Sequence, residues 1–396
     1  MNIILVVLKI WFDILTPKQI MFFKPAIDIL RKQKNNEVLC TSRQYREANE
    51  LSKIKGLDLL IVGSHGGADL YNKLYESTAR VMELSKIIHK FSPDLAVSFS
   101  SPEASRVSFG LGLDHLGFND SPHAEAVARL SVPLLTRLFS PSIIPLSSWT
   151  KYGISPKRII RYGGLDPVAW LLPRESICDG ATTASSLNQY DGNGKNTGIL
   201  EKLEADRSKK SILIRLEESK AAYIANKRLV TQPIALVDFI VKHFGEKCNI
   251  IILCRYSDQI NEISGRYKNK AIVLTDVVDG VDLLKNIDVF IGAGGTMTAE
   301  SARLGRPTIS ISPVHFYIDD YLKKTGLIKR AFTASRLVSL VNLFLNDGEQ
   351  CVLLEKKARK MLSEMEDPVG KLVSYIDAAA TAADAPAAAT ATATDA

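Results

Sequence analysis

At 396 residues, 46% hydrophobic and 23% charged, the chain has the composition of a globular protein and length enough for two ordinary domains. Its net charge of +7 is spread along the chain rather than gathered into one basic block, so a mildly basic cleft is expected and a nucleic-acid partner is not. Five scattered cysteines, with no Cys-x-x-Cys pair and no histidine cluster beside them, argue against a metal site and for reduced thiols in the cytoplasm.

The apolar run Ile3–Leu8 is interrupted by Lys9 and Asp13, short of the roughly 20 residues of a membrane span. It also lacks the small-residue cleavage site of a leader. It reads as a first buried strand ending near Ile14. No transmembrane segment is expected, which leaves room for peripheral membrane contact. Leu15-Thr-Pro-Lys18 then opens a helix running to about Lys34. Ligands of open α/β sheets sit beyond the carboxyl ends of strands, so Asp13, Thr16 and Lys18 are candidates for the cleft. A lysine in the first turn of a helix opposes the dipole, which favours a functional role over a merely solvated one.

A second strand spans Glu37–Thr41 and a third Leu57–Val62. The third runs into Gly63-Ser-His-Gly-Gly67, where Gly66 and Gly67 mark a backbone that turns sharply or approaches a ligand. His65 is a candidate base, with an exposed loop histidine as the alternative. After the strand Pro93–Ser98, Ser101 precedes Pro102 as a helix N-cap, leaving Ser100 as a modest cleft candidate. Phe118-Asn-Asp-Ser-Pro-His123 repeats that design, with the cap at Asp120 or Ser121. Asp120 and His123 then fall within one turn, a carboxylate placed to orient an imidazole as general base. The alternative is a capping aspartate beside a surface histidine. Residues 1–175 make a first domain, and 176–208, rich in Gly, Ser, Thr and Asn, a flexible insertion or linker.

A second domain over 209–346 opens with the strand Lys210–Arg215. Arg215 and Arg255, at strand exits, are candidate phosphate partners. Its central feature is Asp288-Val-Phe-Ile-Gly-Ala-Gly-Gly-Thr-Met-Thr-Ala-Glu300: a buried strand, a glycine turn, then a helix ended by Gly305 and Pro307. Thr296 or Thr298 would cap that helix. Gly294, Gly295, Thr296 and Met297 would present free N–H groups and a positive dipole end to a phosphate. Glu300, one turn further in, would reach a ribose diol. His315 lies on the loop after the next strand, on the same side. Residues 347–377 are helical, and the Ala/Thr-rich 378–396 lacks the large apolar groups needed for order.

Two such halves predict an α/β fold of two doubly wound Rossmann-like domains facing a cleft. The order of strand, paired glycines, two threonines, glutamate and Gly-x-Pro resembles the nucleotide-binding half of GT-B glycosyltransferases. The N-acetylglucosaminyltransferase of peptidoglycan synthesis is the nearest example; its Gly–small–x–Thr–x–x–Glu run holds UDP, and Gly294 to Glu300 match it here. A closer resemblance, over roughly 9–376, is to a largely archaeal, uncharacterised family of GT-B-like proteins. It rests on Ile10–Lys18, Gly66-Gly67, Ser101–Ser105, Phe118–His123 and the Gly-Gly-Thr-Met-Thr run.

The resemblance implies a donor nucleotide on the second domain, the acceptor on the first, and a last helix returning to the first. The leading expectation is sugar transfer from a UDP-sugar to an unknown acceptor, with Asp120–His123 or His65 as base and no metal or cofactor required. One alternative is a UDP-N-acetylglucosamine 2-epimerase-like reaction, against which stands the lack of a His-Gly-Asp stretch and of a paired-glutamate glycine motif. The other is a non-catalytic nucleotide-sugar-binding protein. Nothing in the sequence sets an oligomeric state.

Overall fold

The computed structural model describes residues 7–32, 36–67, 69–172, 198–216, 233–254, 257–312, 314 and 316–383. Seven strands form the first sheet: β1 (Lys9–Asp13), β2 (Glu37–Gln44), β3 (Leu60–Ser64), β4 (Leu95–Ser98), β5 (Asp114–Phe118), β6 (Arg137–Pro141) and β7 (Ile159–Tyr162). Six form the second: β8 (Lys210–Arg215), β9 (Cys248–Leu253), β10 (Ile272–Leu274), β11 (Val289–Gly292), β12 (Thr308–Ser310) and β13 (Ile328–Arg330). The orders are β3-β2-β1-β4-β5-β6-β7 and β10-β9-β8-β11-β12-β13, and the pairings are parallel.

Each half winds outward from its first strand, then jumps back to that strand's other side. The reversal falls between β1 and β4 in one sheet and between β8 and β11 in the other. Loops leaving the two strands at such a point diverge and open a crevice at their carboxyl ends. The central strands are apolar between their ends, as strands covered on both faces must be: Ile10, Trp11 and Phe12 are fully buried, as are Val289 and Phe290.

Helix Pro17–Lys32 covers one face of the first sheet, packing Phe22 and Phe23 edge-on against Phe12 and Phe118. The chain's last helix, Pro368–Ala383, returns to the same core and buries Val369, Leu372 and Ile376 there. Its start is set by Asp367, whose carboxylate accepts the N–H groups of Val369 and Gly370 at 3.0 Å each. That cap separates it from helix Gly348–Ser363, where the sequence reads as one helix. The last helix also runs past residue 377 to Ala383, into the stretch expected to be disordered, because alanine has the highest helix propensity. Residues 384–396 and the 176–197 part of the expected insertion lie outside the described residues. Among the described residues no single helix is long and apolar enough to cross a membrane.

Candidate functional site

A cavity of about 780 Å³ lies between the carboxyl ends of the two sheets, lined from both domains. On the first domain its floor is Lys18, in the opening turn of helix Pro17–Lys32. The Lys18 Nζ lies 2.6 Å from Asp120 Oδ2 and 2.7 Å from Asp166 Oδ2, over the Phe99 ring at 4.2 Å. Burial alone would lower the lysine's pKa, but the two carboxylates outweigh it and hold the ammonium above its ordinary value. They also answer the unfavourable dipole of its position. One cation serves two acids, however, and the acids differ. Burial raises Asp120, but Lys18 and the Ser121 hydroxyl prevail and hold it below the usual carboxylate range. Burial pushes Asp166 up to about 7, with Asp120's charge adding to the rise against the pull of Lys18 and of the Tyr162 hydroxyl, which donates to Oδ1.

Facing this floor is the glycine turn after β11. Gly294 (φ +88°) and Gly295 (φ +80°) both take the left-handed half of φ space, which side chains disfavour. A Cβ on Gly294 would meet the Phe316 ring at 3.0 Å and Asp319 Oδ2 at 3.1 Å, whereas the space before Gly295 is open within 4 Å. Gly295 is the N-cap of helix Thr296–Arg303, so this open space lies at the positive end of a helix dipole. Glu300, inside that helix, lines the cavity and accepts a hydrogen bond from Trp170 Nε1 at 3.0 Å. Burial pushes Glu300 up to about 7; the Trp170 donor opposes that rise and Asp279 adds to it. Burial likewise pushes Asp319, beside the turn, up to about 6, against a hydrogen bond from Ser310.

Several contacts join the domains around the cavity. Besides Trp170–Glu300, Ser148 Oγ donates to the Tyr317 hydroxyl at 2.9 Å, and Arg46 donates to the Thr275 carbonyl at 2.9 Å. Lys55 pairs with Asp279, and the His123 and Phe316 rings meet 4.5 Å apart.

Of the residues singled out in the sequence, Thr16, Lys18, Asp120, His123, Arg215, Gly294, Gly295, Thr296, Met297 and Glu300 line this cavity. Arg215 also donates to the Cys254 carbonyl at 3.1 Å. The helix cap expected at Asp120 or Ser121 is not built. Helix Glu125–Ser131 starts beyond His123 with Ala124 as N-cap, and an Asx turn at Asn119 takes the Ser121 N–H at 2.8 Å. Asp120 is thereby left to Lys18.

Asp13 does not face the cleft. It is fully buried, accepting from Arg80 Nη2 at 2.5 Å and Nη1 at 3.1 Å, from Ser101 Oγ at 2.6 Å and from Thr41 Oγ1 at 2.7 Å. Ser100 is buried too, its hydroxyl spent on the Phe118 carbonyl at 2.9 Å. Thr298 is fully buried against β11 rather than open to a ligand, and neither threonine's side chain caps the helix. Gly66 serves packing, since a Cβ there would lie 2.6 Å from the backbone of Asn72 and Lys73. Gly67 takes a turn conformation, and His65 stacks on Tyr45 at 5.3 Å on an exposed loop, outside the cavity lining. Arg255 and His315 lie outside the described residues.

Asp166, Trp170 and Asp319 escaped the sequence reading. Asp166 had a signal: Gly163-Gly-Leu-Asp-Pro167 follows a strand end and, like Asp120-Ser-Pro122, sets an aspartate just ahead of a proline. Trp170 and Asp319 carried none, their partners being distant in sequence or supplied by a turn.

Over 94% of this chain and all of the other, the fold is similar to the Neisseria meningitidis UDP-GlcNAc 2-epimerase bound to UDP-GlcNAc (TM-score 0.65, 15% identity). It is similar to the S. aureus MnaA–UDP co-structure over 95% of this chain and 97% of that one (0.66, 12%). It is also similar to Anabaena Alr3699/HepE in complex with UDP-glucose over 95% and 100% (0.62, 13%). These likenesses establish the GT-B fold. In sequence, an uncharacterized protein of Methanocaldococcus jannaschii, MJ0665, is 29% identical over 317 residues, covering 80% of this chain and 85% of that protein. The family model described as protein of unknown function (DUF354) matches residues 8–381, and the chain belongs to that family.

Proposed function

We propose that the protein binds a UDP-sugar across the cavity and transfers its sugar to an acceptor held on the first domain. The observation that carries this is the opposition, across one cavity, of the Gly294–Gly295 turn and the Asp120–Lys18–Asp166 floor. The diphosphate sits before Gly295 at the helix N-terminus, with Arg215 nearby, and Glu300 takes the ribose hydroxyls. The sugar then projects towards Lys18. A carboxylate of the floor accepts the acceptor's hydroxyl proton as its oxygen bonds the anomeric carbon. The bond to the β-phosphate oxygen breaks, and its electron pair stays on UDP, stabilised by N–H groups at the start of helix Thr296–Arg303, the Gly295 N–H being held by Asp319. Asp166, poised near 7, suits that base, in place of the expected Asp120–His123 or His65.

A second reading draws on the same floor. An ionised Asp120 and a protonatable Asp166 on one lysine form a base and an acid at one locus. Removal and return of a proton at a sugar carbon needs both, as in 2-epimerisation, whereas transfer needs only the base. Incubating a UDP-sugar in D2O without acceptor separates the two by proton NMR. Deuterium at the sugar's C2, or an epimer's anomeric signal, supports epimerisation, and slow hydrolysis to UDP alone supports transfer. Both readings require a nucleotide at Glu300. Replacing Glu300 with Gln should weaken UDP binding by about 10- to 70-fold at pH 8, the loss of about 1.5–2.5 kcal/mol of charge-assisted hydrogen bonding. Unchanged affinity by calorimetry would remove the nucleotide site from both.

A further inference from the structure

The two faces of the first sheet are finished differently. Helices Leu70–Phe91, Pro102–Leu111 and Glu125–Ser131 pack side by side over one of them. Their inner sides bury Leu84, Ile88, Ala104, Val107 and Ala128. Their outer sides carry Tyr71, Leu74, Tyr75, Met82, Phe109 and Leu130, each 60–71% exposed. On the first helix these fall at i, i+3, i+4 and i+11. A helix that only covers a sheet needs one apolar stripe, so a second at this spacing calls for a second partner.

Area and charge say which partner. With aromatic side chains of about 150–250 Å² each, six large residues exposed to this degree offer roughly 700 Å², close to the about 800 Å² each side contributes to a standard interface. Scattered single hydrophobics need no explanation, but a patch of this size does. The charges among them are of both signs: Lys73, Glu83 and Lys86 on the long helix, and the Glu125–Arg129 pair at 2.6 Å on the short one. An anionic lipid surface is met by a basic fringe of one sign. A mixed pattern suits a copy of itself, where a two-fold axis sets each residue type against another of the same patch.

We propose that this three-helix face is the isologous interface of a homodimer. Sedimentation velocity of the full chain at micromolar concentration should show a species of twice the 43.6 kDa chain mass. The double variant Leu74→Lys/Met82→Glu should weaken association by about 100-fold or more, because charge is placed within the apolar stripe of the long helix. Phe109→Asp, on the neighbouring helix, should do the same, so the result does not rest on one variant's folding; unchanged circular dichroism checks both. A monomeric wild type overturns the proposal, as does a dimer that neither variant weakens. So does a monomer that floats with phosphatidylserine/phosphatidylcholine vesicles and loses that binding in the same variants, which would give the face to a membrane.

Discussion

At the end of β1, Asp13 meets Arg80 through two N–H donors and takes two hydroxyls besides, so its oxygens are fully matched and nothing is left over. At the cavity floor, Asp120 and Asp166 divide a single ammonium, and one of them sits near 7. Both clusters are buried carboxylate–cation groups at the carboxyl edge of the same sheet. The first, where Glu103 also faces Arg80 at 3.9 Å and Arg43 adds a second positive charge, is balanced and sealed; the second is short of one positive charge and opens on a cavity. Surplus proton affinity beside a ligand-sized space is what acid–base chemistry requires, whereas a charge-balanced, sealed cluster serves only to hold strands and loops together.

The largest expected effect tests the floor. Asp166→Asn leaves Lys18 paired with Asp120 but removes the floor's carboxylate of higher proton affinity. Release of UDP from a UDP-sugar should fall by about 10²- to 10⁴-fold. Stability should respond with the opposite sign. A carboxyl raised in the folded state binds a proton there that the unfolded chain has lost, so the wild type loses stability as pH rises from about 4 towards 7. The variant should lose Asp166's share of that dependence, Glu300 and Asp319 keeping theirs, and in urea at pH 8 be no less stable than the wild type. Full activity in Asp166→Asn would make the floor a second Asp13.

The converse substitution is Asp13→Asn, which leaves the buried Arg80 guanidinium with only Glu103, 3.9 Å away, as counter-charge. It should cost about 3–5 kcal/mol in urea denaturation, with turnover per folded molecule unchanged. Burial works to raise Asp13, but Arg80, Ser101 and Thr41 prevail and hold it low. Its contribution is therefore present above the ordinary aspartate pKa and lost as pH falls through the depressed one. A stable but inactive variant would move Asp13 into the chemistry and erase the contrast.

This contrast was only half legible in the sequence. The fold class and the glycine turn were open to reading, because apolar runs, glycines and capping residues act locally. Lys18 also gave itself away, since a lysine opposing a helix dipole needs a compensating acid. Which way Asp13 points was hidden. Ile10-Trp-Phe12 is apolar on both faces of the strand, so no alternation marks the side its last residue takes. Thr298 failed for the related reason that one helical step turned it from the ligand to the core. Asp166 sits 148 positions from Lys18, and no periodicity links residues that meet only when a doubly wound sheet closes.

The smallest expected effect probes how the two domains are joined at the nucleotide. Trp170, four residues after Asp166, reaches across 130 positions of sequence to donate to Glu300, so one short segment touches both the floor and the helix that follows the turn. Trp170→Phe keeps an aromatic ring against Phe22, 6.5 Å away, but removes the N–H. Losing one such bond should weaken UDP binding by about 1 kcal/mol, roughly fivefold. The loss should not be uniform with pH. Burial already lifts Glu300 to about 7, and the indole donor is what restrains the rise, with Lys18 and Lys55 helping and Asp279 opposing. Without it the carboxyl titrates at a higher pH. If the ribose is held by the ionised form, affinity in the wild type climbs through neutrality, and in the variant the climb is displaced upward. The two proteins should then bind alike well above that range and differ most near pH 7. Calorimetry across the range reads this directly. An equal loss at every pH would mean the indole only fills space, leaving Glu300 to be oriented by its own helix.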